Sequence, residues 1–157
     1  TGLSEGRPMF VRSANDKFNL ANFMRSHLYA SVGVLKIGND ILFNEEHVKV
    51  DRITGHGGLF KTKGVGQRIL AAAINSPISV METAGEGGAW GIALVGSYLV
   101  NSGAHESLAD FLENKVFAGN TGVEIAPTAE DVAGFNIYIE NYKRGLAIEK
   151  AAVENKY

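Results

Sequence analysis

Ile53-Thr54-Gly55-His56-Gly57-Gly58-Leu59-Phe60-Lys61-Thr62-Lys63-Gly64-Val65-Gly66-Gln67 is the stretch on which the reading of the chain turns. Val48 to Ile53 enters it, alternating apolar and polar side chains as a half-buried strand does. Val65 to Ile74 leaves it with the apolar stripe of a helix: Val65, Ile69, Leu70, Ala73 and Ile74. Three glycines, 55, 57 and 58, fall within four positions at this strand-to-helix turn. Glycine there permits φ > 0 and lets another atom come close to the backbone. The helix that begins just beyond offers unpaired N–H groups and the positive end of its dipole. Those are the physical requirements of a phosphate or nucleotide seat. A tight turn packed against a neighbouring strand carries the same signature.

Downstream, Asn75-Ser76-Pro77 stops the helix, because proline disfavours helical geometry in its predecessor. Ile78-Ser79-Val80-Met81 reads as a second short strand. A β-α-β order this compact predicts two parallel strands joined by a right-handed crossover. Glu82 to Gly88 is a second glycine-rich turn, and Ala89 to Val100 a helix of small residues expected to lie buried against its neighbours. It is too short in apolar length to cross a membrane. Ser107 to Phe117 reads as one short amphipathic helix, and Asn120 to Pro127 as a turn holding the apolar segment 123–126. Thr128 caps a last helix, with Glu130 and Asp131 at its positive end. Upstream, Leu20, Phe23, Met24, His27, Leu28, Ser31, Val32 and Leu35 step along one helix face, which Gly38 closes. The sum is an α/β chain with helices in the majority.

The chain has 157 residues, enough for one domain with a sizeable core. Its net charge of −2 and charged fraction of 20% describe no polyanion-binding surface, so nucleic acid is not an expected partner. It has no cysteine, hence no disulfide and no thiolate metal site, which fits a cytoplasmic protein. Neither a membrane span nor a signal-peptide pattern is present. Nineteen glycines against three prolines is the unusual feature, and the glycines cluster at 55–66 and 85–96. The chain begins at Thr1, without methionine, and reads as a piece of a longer protein.

No nucleophile elbow, phosphate-binding P-loop, zinc spacing or paired-histidine motif occurs. The candidate carboxylates are Glu82 and Glu86, beside the second glycine turn, where charged groups are usually solvated. His56 either faces a ligand or braces the loop. His27 reads as a histidine at the core edge. The two glycine turns say more together than apart. Each follows a strand and precedes a helix, so both fall at the carboxyl ends of strands, the ligand-binding edge of an open α/β sheet.

Gly57-Gly58-Leu59-Phe60-Lys61-Thr62, followed by Gln67 and a helix, resembles the adenosine motif of the FGGY carbohydrate kinases. Ala84-Gly85-Glu86-Gly87-Gly88-Ala89-Trp90-Gly91-Ile92-Ala93 is similar to the family's following turn and small-residue helix. Asn19 to Arg25 and Gly38 to Leu42 are similar to its xylulokinase-like or ribulokinase-like branch. The resemblance implies the C-terminal nucleotide-binding domain, residues 1–157, of a two-domain pentulose kinase. It implies a ribonuclease H-like, actin-like ATPase fold, truncated at its N-terminal end. Such enzymes transfer the γ-phosphoryl group of ATP, with Mg2+, to a sugar hydroxyl, here that of a pentulose and first of all xylulose. The resemblance places the sugar and the catalytic base mostly on an N-terminal domain, so this chain would carry no catalytic residue and no metal ligand of its own.

Carried over residue by residue, Gly57 and Gly58 would let backbone approach the nucleotide, Leu59 would border the adenine, and Thr62 would contact the nucleotide where relatives often carry an asparagine. The family's third consecutive glycine is displaced, since His56 separates Gly55 from Gly57. The family's first β-hairpin, with its phosphate-contacting Thr-Gly turn, has no counterpart. A homodimer is left open. The alternative reading is a non-enzymatic actin-like binding or regulatory module with a vestigial nucleotide pocket.

Overall fold

The computed structural model describes residues 3, 5–50, 52–119 and 122–155. In chain order it contains α1 (Leu20–Asp40), β1 (Ile53–Gly55), α2 (Val65–Ile74), β2 (Ile78–Val80), α3 (Gly87–Asn101), α4 (Leu108–Phe111), β3 (Val123–Ile125) and α5 (Ala129–Glu154). The chain divides into two compact units. One comprises Thr1–Lys49, Ala72–Asn75 and Pro127–Tyr157, the other Val50–Ala71 and Ser76–Ala126.

In the first unit, Asn19 opens α1 by accepting the Asn22 backbone N–H at 2.8 Å, which satisfies one of the helix's orphan donors. The helix does not close at Gly38. It runs through Gly33 and Gly38 to Asp40 and widens into a π turn, Ile41–Glu45. Thr128 caps α5 as its sequence predicts, with Oγ1 accepting the Asp131 N–H at 3.1 Å. The two helices pack through Val32 and Gly33 of α1 and Phe135 and Ile139 of α5, all buried. A Cβ added at Gly33 would lie in ordinary contact with Ile139 and the Tyr142 ring. Tyr29 meets the Phe135 and Tyr138 rings at 4.9 and 5.1 Å. Leu20, Met24 and Leu35, which step along one face in the sequence, are exposed.

In the second unit, β1 and β2 are parallel neighbours, as the β-α-β order predicts, with Ile53 opposite Ile78 and Gly55 opposite Val80. The entering strand is shorter than the alternation over 48–53 suggests. Residues 48–50 are outside it, Asp51 lies outside the described residues, and the ladder runs on through Thr54 and Gly55. β2 offers only three residues, so a longer β1 would have nothing to pair with.

A third strand stands where a turn is expected. Val123–Ile125 pairs antiparallel with β2, giving the order β1-β2-β3. Gln67 ties this pair together from α2: its Nε2 donates to the Ile78 carbonyl at 2.6 Å and to the Val123 carbonyl at 2.7 Å. Ser79 Oγ donates to Glu124 Oε2 at 3.2 Å across the same two strands.

α3 also departs from expectation. None of its residues is buried; Ile92, Leu99 and Val100 are 77%, 76% and 83% exposed. Its small residues permit close approach, yet permission is not a partner: a Cβ at Gly88, Gly91 or Gly96 would meet nothing within 4 Å. The single helix read over 107–117 is a short α4, capped by Ser107, followed by a π turn, Leu112–Val116.

Candidate functional site

β1 delivers the chain into the glycine stretch, and each glycine there answers a different demand. A Cβ on Gly55 would overlap the Phe60 ring, which folds back over it. Gly57 has φ of 106°, a region open to glycine and strained for other residues. Gly58 starts a single 3-10 turn, Gly58–Phe60, with ordinary φ, and a Cβ there would project into open space. The positive-φ position is therefore Gly57, while Gly58 contributes unobstructed backbone. Farther on, a Cβ on Gly66 would strike the Leu59 carbonyl, so glycine lets the start of α2 lie against the turn.

The second glycine segment locks onto the first. Glu82–Glu86 forms a 3-10 turn directly ahead of α3. The Gly57 N–H donates to the Ala84 carbonyl at 2.8 Å. A Cβ on Gly85 would crowd the Lys61 stem, and one on Gly87 would overlap the His56 imidazole. His56 thus packs against the second turn. The two segments, separate in sequence, form one surface at the carboxyl ends of parallel β1 and β2.

The four residues singled out for a nucleotide lie along that surface. Gly57 and Leu59 are half-buried, with the Leu59 side chain lying over Gly66; Gly58 and Thr62 are exposed. A cavity of about 430 Å3 opens on the same sheet edge, lined by Phe60, Lys61, Lys63, Gln67, Met81 and Glu82 among others, and by none of those four. Sequence reasoning missed Phe60 and Lys63 as lining residues. It also missed the bracing role of Gln67, which was signalled only by a polar residue beside the apolar stripe of α2. Glu82 is exposed at the cavity, and nothing is described of the Glu86 side chain.

For a divalent cation the fit is partial. Among the described residues no cluster of three or more histidine, aspartate or glutamate side chains could hold a metal. Mg2+ is commonly held by one or two carboxylates together with substrate phosphates, so a metal here would depend on the phosphates of a bound nucleotide. No helix among the described residues is long and apolar enough to cross a membrane.

Residues 1–100 match the C-terminal domain of the FGGY family of carbohydrate kinases. The chain belongs to that family. The matched region holds α1, the whole β1-α2-β2 unit, both glycine segments and all but the last residue of α3. β3 and α5 lie beyond it. Neither a curated protein nor a solved structure matches the chain. FGGY membership makes the fold class that of an actin-like, ribonuclease H-like ATPase domain, represented here by a helix-rich chain with a small three-stranded mixed sheet. FGGY kinases phosphorylate carbohydrates and use ATP and Mg2+.

Proposed function

We propose that residues 1–157 are the nucleotide-binding C-terminal domain of a two-domain cytoplasmic pentulose kinase, with xylulose the first candidate sugar. The observation that carries this reading is the Gly57 N–H to Ala84 carbonyl bond, which joins two glycine segments at the carboxyl ends of parallel strands. That edge is where open α/β sheets bind ligands. Adenosine would lie over Gly57, Gly58 and Leu59, with the Thr62 hydroxyl and the 84–88 turn nearby. The nucleotide supplies the phosphoryl group. The chain's own contribution is positioning: bare backbone at Gly58, a hydroxyl able to donate and accept at Thr62, and the Lys61 and Lys63 ammonium groups beside the phosphate side. The sugar and the catalytic base belong to an N-terminal domain that shares the substrates.

Gly58→Val is the decisive variant, because Gly58 has neither a positive φ nor a crowding neighbour. The substitution should leave the melting temperature of the full-length enzyme near the parent's. It should raise the Michaelis constant for ATP about thirtyfold, equivalent to roughly 2 kcal/mol, with little effect on that for sugar. A folded Gly58→Val enzyme with parental ATP affinity puts the seat elsewhere. Gly57→Val is the poorer test, since its φ of 106° would strain the turn itself.

A further inference from the structure

Gln67 is committed at one end of its amide and open at the other. Its Nε2 donates to the Ile78 and Val123 carbonyls, which fixes the orientation of the group. Its Oε1 has no hydrogen-bond partner among the described residues. Gln67 is only 4% exposed, yet no fully buried side-chain oxygen or nitrogen of the described residues is left unpaired. Oε1 therefore reaches open space, and the space that Gln67 lines is the cavity of about 430 Å3 at the sheet edge. Covering an unpaired acceptor with apolar surface is unfavourable, so a ligand that fills this cavity must bring a donor.

The rest of the lining narrows the choice. Phe60, Val80, Met81 and Ile125 make much of it apolar. Lys63 and Glu82 line it as well, both exposed, and among the described residues neither makes an ion pair. Lys61, on the same lining, is already engaged. The cavity thus combines apolar surface, one buried acceptor, and an ammonium and a carboxylate that are not paired with each other. Its volume falls in the range of about 300–1,000 Å3 usual for small-molecule sites.

We propose that this cavity binds a free α-amino acid with a large apolar side chain, an aromatic one above all. The ligand's ammonium has three N–H donors, enough for the Glu82 carboxylate and Gln67 Oε1 together. Its carboxylate pairs with the Lys63 ammonium. Its side chain takes the apolar lining, where the Phe60 ring and the Met81 sulfur favour an aromatic partner. Other classes leave a group unmet. A polyanion brings negative charge to Glu82, and an amine without a carboxylate brings positive charge to Lys63. An apolar acid has no donor for Oε1. A polyol lays hydroxyls against apolar surface that cannot pair with them. None of the four residues assigned to the nucleotide lines the cavity, so this site stands apart from that seat.

Calorimetric titration of the full-length enzyme, free of nucleotide, provides the test. Phenylalanine should bind with a dissociation constant of about 0.1–1 mM, and alanine at least about tenfold more weakly. N-acetylphenylalanine, which lacks the ammonium, and phenethylamine, which lacks the carboxylate, should each also lose at least about tenfold. So should phenylalanine betaine, whose trimethylated nitrogen keeps its charge but has no N–H for Oε1. Glu82→Gln should weaken phenylalanine about tenfold while improving N-acetylphenylalanine. Lys63→Gln should weaken phenylalanine to a similar degree while improving phenethylamine. Both side chains are exposed, so both variants should melt as the parent does, and a structural role would not produce the opposed shifts in specificity. Gly58→Val, which probes the nucleotide seat, should bind phenylalanine unchanged. Absence of phenylalanine binding, binding indifferent to either Glu82→Gln or Lys63→Gln, or equal binding of the acetylated, decarboxylated or betaine forms would each overturn the proposal.

Discussion

In the unit of α1 and α5 the buried side chains at the helix contact are apolar: Phe135 and Ile139 from one helix, Val32 from the other. In the sheet unit, by contrast, Gln67 and Ser79 are buried beside Ile78. The first unit coheres through area removed from water, which is non-directional. The second relies in addition on directional hydrogen bonds and on glycines that let backbones touch. A three-stranded sheet with three residues per strand has little apolar surface to bury, so satisfying its backbone carbonyls matters proportionately more. The contrast predicts that the first unit suffers most from lost volume, the second from a lost donor.

The largest effect should come from Phe135→Ala. Phe135 is 0% exposed and its ring meets Tyr29 and Tyr138, so truncation should cost about 3–5 kcal/mol. Denaturant unfolding reads the loss, and hydrogen exchange should place it in α1 and α5. A loss below about 1 kcal/mol would mean that the helix pair is not held by that core. Next comes Gln67→Leu, which preserves approximate volume but leaves the Ile78 and Val123 carbonyls without their side-chain donor. A cost of about 2–3 kcal/mol is expected, with exchange quickening first at β3. If Gln67→Leu were neutral, the sheet unit would rest on apolar burial after all and the contrast would vanish.

Thr62→Ala sharpens the comparison on the functional side. The side chain is exposed, so stability should hold while ATP binding by the full-length enzyme falls by about 1 kcal/mol, the worth of one ordinary hydrogen bond. Unchanged ATP affinity would remove Thr62 from the seat. The smallest effect concerns Glu106 in the sheet unit. Its carboxyl pKa lies below the ordinary 4.5, chiefly through the hydrogen bond from the Lys115 ammonium and then that from the Gly103 N–H. A carboxylate with a depressed folded-state pKa contributes stability above its unfolded value, and that contribution is lost as pH falls through the lower, folded value. Because both partners of the carboxylate lie within residues 103–115, the change should be local. The Gly103 amide resonance should titrate below the usual carboxylate range, and Lys115→Ala should move that midpoint upward. A midpoint unmoved by Lys115→Ala would separate the two groups.

What could be read in the sequence was what neighbours along the chain decide. The bounds of α2 follow from an apolar stripe ended by Asn75-Ser76-Pro77, and the Thr128 cap needs only the next three residues. The parallel β1–β2 pairing follows from the short path between them. β3 was illegible because Val123–Ile125 has strand character only opposite β2, with Gln67 reaching it from 56 residues away. α3 was misread because small residues record how closely a neighbour could approach, not whether one is there. At the candidate site the glycine count was legible, but not the division of labour among them. Gly55 and Gly66 accommodate a ring and a carbonyl, Gly57 supplies the φ, and Gly58 leaves open backbone.

The Gln67 bridge also bears on the order of assembly. β1, α2 and β2 are close in sequence and can meet after short loop closures, whereas β3 pairs with β2 across a separation of 45 residues at the Ser79–Glu124 contact. Long-range pairings form late because closure entropy must be met before any contact rewards it. Gln67 is in place once α2 has docked, presenting its amide beside the outer edge of β2. The last strand then arrives at a template whose register is already marked at Val123. Mutations in β3 should accordingly speed unfolding while leaving the folding rate nearly unchanged, whereas Gln67→Leu, which also removes the bond to Ile78 inside the early unit, should slow folding as well as speed unfolding. A stopped-flow series in which the β3 mutations slowed folding instead would put β3 in the nucleus.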